Sequence, residues 1–348
     1  MTVHSPSLAR AIETGDLTEL PSRRDESWRW TDLRGLLREL PPRSKSVDES
    51  FTGPFDRIKG SNLDIVNGGA GEIALAAGAQ ETWRVVFGAN AEAGAHMNTL
   101  DVEVGEGAEL LLLETYLGDD VGYVANTAIH LRLAEGARVE RLVIAEDGGD
   151  AISVSIADVD LAAGARFSQT MLTKGAKRQR LETRVAHPGA GTLVRMDGVY
   201  LLTAKRHADI TTVVDHVGPG GDTDQMIKGV VSDKARGVFQ GRIVVAHGAD
   251  QTDAKMKHDA LVLSDQAEVD AKPELEIYAD DVSCTHGNTV GALDEEAMFY
   301  AAQRGIPEEM ARAMLTRAFV ETVVDRIEHD AGREVARSWI ANRLGAAT

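Results

Sequence analysis

The feature that most narrows what this chain can fold into is a glycine–alanine corner that returns at a near-constant interval. It reads Gly78-Ala79-Gln80-Glu81, Gly107-Ala108-Glu109-Leu110, Gly136-Ala137-Arg138-Val139 and Gly164-Ala165-Arg166-Phe167, with a weaker copy at Gly189-Ala190-Gly191-Thr192. The glycine spacings are 29, 29, 28 and 25. Glycine reaches the positive φ of a tight corner without steric cost. Between the corners lie β-rich runs such as Thr127–Leu133, Val139–Ile144, Ile152–Asp160 and Leu193–Val199. Apolar and polar residues alternate in Leu100–Val104, Ile129–Leu133 and Ile152–Ile156, the period of a strand. A fixed period of this size marks stacked units, each burying its inner face on the next. The prediction is a mainly β fold, a parallel β-helix or a flattened relative of it. A β-sandwich competes, but has no reason to keep the corner at constant spacing. The terminal coils of a stack expose strand edges that need cover, and the helical segments at the two ends of the chain are the expected caps.

At the start, Ser5-Pro6-Ser7-Leu8-Ala9-Arg10-Ala11-Ile12 is expected to open a capped helix ending near Gly15. Trp28 and Trp30 follow in a mostly polar segment and are expected to dock their rings on the main body. Thr31 or Asp32 would cap a short helix over Leu33–Leu40, which Pro41-Pro42 stops. Residues 43–60 read as a polar linker or loose loop. After Gly291 the pattern turns helical. Asp294-Glu295-Glu296 starts a helix over Ala297–Arg304, Gly305 ends it and Pro307 opens the next. Ala311, Met314, Leu315, Ala318, Phe319 and Thr322 form its predicted apolar stripe, for the β body or for a partner. Gly332 is expected to break that helix before a last one over Arg333–Leu344. The chain thus divides into an N-terminal helical region with linker (1–60), a β-helix core (61–291) and a C-terminal helical region (292–348).

Lys and Arg number 37 against 55 acidic residues, a formal charge of −18. Such a chain repels phosphate backbones, so general nucleic-acid binding is not expected. Its densest basic stretch, Lys174–Arg180, is expected to be a solvated loop. The single cysteine forms no internal disulfide and suits a reducing compartment. No secretory signal and no membrane-length apolar run is evident, so a cytoplasmic protein is expected.

That cysteine, Cys284, stands two residues before His286. In an extended segment the two share a face, and thiolate with imidazole suits soft and borderline metals. One cysteine and one histidine do not close a tetrahedral site, and a lone cysteine also behaves as a small buried hydrophobe. The histidines of the β body are scattered, and no catalytic or phosphate-binding signature occurs.

The run Leu275-Glu276-Ile277, Asp280-Asp281-Val282-Ser283-Cys284-Thr285-His286-Gly287 and Gly291-Ala292-Leu293-Asp294-Glu295-Glu296, through Phe299-Tyr300 to Arg304-Gly305-Ile306, resembles the SufB/SufD family of iron–sulfur cluster assembly proteins. Phe239-Gln240-Gly241-Arg242-Ile243, Asp253-Ala254, Leu261–Ser264 and Glu26–Leu33 carry the resemblance further. The short N-terminus and the Cys-x-His-Gly element favour the SufD side. Two departures stand out. Thr285 replaces a common serine, and His258 lies near a position where asparagine is common. The resemblance implies a right-handed parallel β-helix flanked by N-terminal and C-terminal α-helical regions, and a scaffold rather than an enzyme. It implies pairing with a SufB-like subunit through the β-helix and with a SufC-like ABC ATPase through the C-terminal helices. A homodimer through the same β-helix edge is compatible with it. It places His286, with Cys284 beside it, at the SufB interface, where an iron–sulfur cluster would form transiently with no cofactor held stably. A carbohydrate-active β-helix enzyme is the alternative; its groove calls for aromatic residues, and only 5% of the chain is aromatic.

Overall fold

The computed structural model describes residues 7–345. After a helix α1 (Leu8–Thr14) and two short turns of 3₁₀ helix, its β body runs from β1 (Ser61–Val66) and β2 (Gly69–Leu75) to β15 (Asp253–Val262), β16 (Glu268–Ile277) and β17 (Ser283–Gly291). Strands pair in parallel with the next but one in sequence. The odd strands make one nine-stranded sheet and the even strands an eight-stranded one. The result is a β-solenoid of about eight turns with two flat walls.

The corners explain the period. Gly78, Gly107, Gly136, Gly164 and Gly189 all sit where the chain passes from the even wall to the odd wall, with φ between 61° and 77°. Gly220 and Gly248 continue the series at φ 69° and 80°. The sequence reading missed these two, because neither spacing nor neighbours repeat cleanly there. The lumen is filled by inward-facing Ile, Leu, Val and Phe from both walls, and Ile65, Leu100, Leu131, Ile210 and Ile243 belong to one continuous core.

The helices of the terminal segments lie on the two walls of the solenoid rather than over its ends, where the sequence had placed them, while the stretch around Val47 bridges to the β1 edge. Helices α3 (Glu308–Val324) and α4 (Asp330–Leu344), which follow α2 (Glu295–Gln303), lie on the odd wall. There Val320, Val323, Val324, Ile327, Trp339 and Ile340 pack on Leu113, Leu142, Ile144 and Val199. Each such aliphatic side chain contributes about 1.5–3 kcal/mol on full burial. The predicted stripe on α3 is met only in part, with Ala311 buried and Phe319 packed against the wall. Thr316, Val320 and Val323 face the wall, while Met314, Ala318 and Thr322 are exposed. Gly332 does not break a helix either. It lies in the first turn of α4, where a Cβ would come 2.3 Å from Leu142 Cδ1. Here glycine allows close approach, and the chain turns instead at 325–329. The capping expected of Asp294 is present, its carboxylate accepting from the Glu296 and Ala297 amides.

The N-terminal segment lies on the even wall, with Leu8, Ile12, Leu20, Trp28 and Leu33 packed on Val124, Ile152 and Val154. Ser7 caps α1 and Gly15 ends it at φ 74°; Ser5 and Pro6 lie outside the described residues. No helix forms over Leu33–Leu40. Asp32 accepts the Gly35 amide in a single turn, and Gly35 within so short a segment outweighs its helical tendency. Thr31 is spent elsewhere, its hydroxyl 2.5 Å from Asp209. Trp28 docks as expected, over the Arg180 guanidinium at 4.5 Å. Arg180 therefore belongs to no solvated loop. It is buried in β10 (Arg178–His187), paired with Asp209 and Glu182, and donates to the Ser27 carbonyl. Residues 43–60 are likewise packed rather than loose: Arg43 bridges to Ala95, Val47 bridges to Val66, and Phe55 and Ile58 are buried.

Candidate functional site at the uncovered end

Strand β17 pairs on one side only, with β15. Its register sets Cys284 opposite Ala254, His286 opposite Met256 and Asn288 opposite His258. Ala254 and Met256 are buried members of the lumen core, and His258 is buried beside them. By strand alternation Cys284, His286 and Asn288 continue the same inward-facing rows, and among the described residues no further coil lies over them. Around them Ile277, Tyr278 and Val290 are 42%, 52% and 46% exposed. The sequence placed Cys284 and His286 on one face of an extended segment, and the structure does the same.

Cys284 is half-buried and packs against the lumen core. Desolvation pushes its thiol up, with Asp253 adding to the rise and the Ala254 backbone opposing it. The thiol is therefore quiet until a cation draws off its proton. His286 is exposed. Among the described residues, no three His, Cys, Asp or Glu side chains come close enough to hold a metal ion.

The third member of the row escaped the sequence reading. Asn288 Oδ1 lies 2.7 Å from His258 Nδ1, and His258 Nε2 lies 2.9 Å from the Tyr200 hydroxyl. Burial lowers the His258 pKa, against the Asn288 hydrogen bond and Asp259. A neutral ring with its proton on Nδ1 donates to Asn288 and accepts from Tyr200. The ring stacks on Phe239 at 4.9 Å between centroids. Asn288 is thus held by its oxygen, and its amide N–H groups remain free for the uncovered end. The signal was available: residues 284, 286 and 288 are spaced by two.

A second uncovered surface lies on the C-terminal helices. Phe299 and Tyr300 of α2 and Met310 and Met314 of α3 are exposed large apolar side chains. Phe299 also lines a concavity with Leu263, Leu293, Met298 and Ile306.

Residues 87–319 match the family model for the SUF system FeS cluster assembly, SufBD core domain. The iron–sulfur cluster assembly protein SufD of Escherichia coli K12 is 26% identical, the match covering 99% of this chain and 94% of that protein. A SufBD family protein of Mycobacterium leprae is 26% identical over 94% of this chain and 92% of its own length. SufD of Bacillus subtilis is 32% identical over a shorter stretch, 40% of this chain and 32% of that protein. With the family model spanning most of the solenoid and its uncovered end, this chain belongs to the SufBD family of iron–sulfur cluster assembly proteins.

Proposed function

We propose that this chain is a non-catalytic scaffold subunit for iron–sulfur cluster assembly, working in the cytoplasm. Its uncovered end receives a SufB-like subunit, and the exposed apolar face of α2 and α3 receives a SufC-like ABC ATPase. The observation that carries the reading is the row Cys284, His286 and Asn288 on a terminal strand paired on one side only. An edge strand of this kind is a template for another chain. The row offers two soft or borderline donors, fewer than the four a tetrahedral iron site takes. The remaining donors come from the partner, so the cluster is cargo formed between subunits. ATP-driven movement of the ATPase, passed through α2 and α3, would rearrange that interface. The same edge serves a homodimer when the partner is absent.

The test is His286→Ala and Cys284→Ser in the complex co-expressed with the SufB-like and SufC-like proteins of the same genome. Iron and sulfide content and visible absorbance would be read beside circular dichroism. His286→Ala is expected to keep the fold and the subunit composition while cluster loading falls. Full loading in that variant would contradict the reading.

A further inference from the structure

The chain carries an excess of 18 negative charges, yet one concavity is lined by four arginines. Arg23, Arg24 and Arg34 come from the N-terminal segment and Arg178 from the start of β10. Among the described residues Asp32 is the single carboxylate lining it, and one of its oxygens is taken by the Gly35 amide. Among the described residues, none of the four guanidinium groups has a carboxylate within 4 Å. Arg178 is half-buried, and its Nε is fully buried without a hydrogen-bond partner.

The sheet concentrates this charge. His207 and Arg236 stand opposite one another on adjacent strands of the even wall, and Arg178 lies close enough to depress the His207 pKa. Arg236 is neutralised by Asp270 at 2.7 Å. His207 is kept neutral, its pKa lowered to about 3 by burial first and then by Arg178, and it holds the Trp30 carbonyl at 3.0 Å. Arg178 has Asp32 nearby but, among the described residues, makes no ion pair. An arginine cannot shed its proton at ordinary pH, and a desolvated unpaired cation is costly. A bound anion removes that cost.

We propose that Arg23, Arg24, Arg34 and Arg178 form a binding site for a phosphate-bearing anion, which staples the N-terminal segment to the even wall. Guanidinium groups meeting from two elements suit an oxyanion with three or more acceptor oxygens better than a planar carboxylate with two. The local excess of positive charge calls for a multiply charged ligand. The concavity, about 660 Å³, has room for a polyphosphate. The site lies on the even wall, and the proposal does not depend on the function of the uncovered end.

The experiment is calorimetric titration and thermal unfolding of the full chain with inorganic phosphate, pyrophosphate and ATP, against chloride at matched ionic strength. Phosphate-bearing ligands are expected to bind and raise the unfolding midpoint, pyrophosphate more than phosphate. Arg178→Leu is expected to weaken binding by about tenfold or more. Arg23→Ser with Arg24→Ser, both at exposed positions where folding is not at stake, should weaken it likewise, and Arg132→Ser elsewhere on the wall should not. Equal affinity for pyrophosphate and ATP would identify the phosphates as what is recognised. Three outcomes would overturn the proposal: a response no larger than chloride gives, binding that survives both sets of arginine variants, or binding of ATP without pyrophosphate.

Discussion

The two ends of the solenoid are built from the same coil and finished differently. At the N-terminal end, Ile65, Ile73 and Leu75 of β1 and β2 are only 4%, 1% and 5% exposed. Gly71 lets the walls close there, because a Cβ would come 2.6 Å from Leu63 and 3.1 Å from Ile65. The segment around Val47 adds an antiparallel bridge along the β1 edge. At the C-terminal end, β16 and β17 carry no such cover, and the inward rows terminate in Cys284, His286 and Asn288. A protein that covers one sheet edge with its own chain has the means to cover both. Leaving polar donors and the apolar side chains Ile277 and Val290 uncovered at the other marks that end for a partner.

The largest effect that separates the ends is on stability. Ile65→Ala is expected to cost about 2–5 kcal/mol in chemical denaturation, while Ile277→Ala, already half exposed, should stay within about 0.5 kcal/mol. Similar losses at both ends would mean that the C-terminal coil is closed in solution.

The next effect is on pH. Burial depresses His96 to about 4 and His207 and His216 to about 3, and lowers His187 and His258 as well. Their folded pKa values lie below that of an unfolded histidine, so below pH ~6.5 the unfolded chain binds the extra protons. Stability is therefore held above that pH and lost as pH falls toward the folded values. Each such histidine adds about 1.4 kcal/mol per pH unit within the window. His207→Gln, which keeps a donor for the Trp30 carbonyl, should remove one histidine's share of the slope. An unchanged slope would show that His207 is not held neutral.

Smaller still is the effect of Asn288→Ala. It removes one hydrogen bond from a His258 ring near the uncovered end, at about 1 kcal/mol. Its larger consequence should appear in cluster loading, through the lost amide donor. The smallest stability effect belongs to Val290→Lys, within about 0.5 kcal/mol at an exposed position, although it sets a charge in the middle of the proposed interface.

How far the sequence led depended on the range of the interactions involved. The coil was legible because a positive-φ glycine and a two-residue alternation are local requirements that recur with every turn. The row at 284 and 286 was legible for the same reason. The placement of the helices was not. Helix α3 carries apolar residues on more than one side, and only contact with Leu113 and Leu142 chooses Val320 and Val323 over Met314 and Ala318. The packed course of residues 43–60 and the burial of Arg180 were hidden too, since their partners lie far away in sequence. Gly332 looked like a helix breaker because its reason, Leu142, is 190 positions earlier. Asn288 was passed over because its partner His258 belongs to the preceding coil.

The central claim is that one end of the solenoid is finished and the other awaits a partner. The most direct test is native mass spectrometry after co-expression with the SufB-like and SufC-like proteins of the same genome. It would compare the wild-type chain, Val290→Lys at the uncovered end and Ser61→Lys at the covered end. The account predicts that the three-component assembly forms with the wild type and Ser61→Lys and that Val290→Lys no longer retains the SufB-like subunit. Assembly that tolerates Val290→Lys, or that fails with Ser61→Lys, would contradict it.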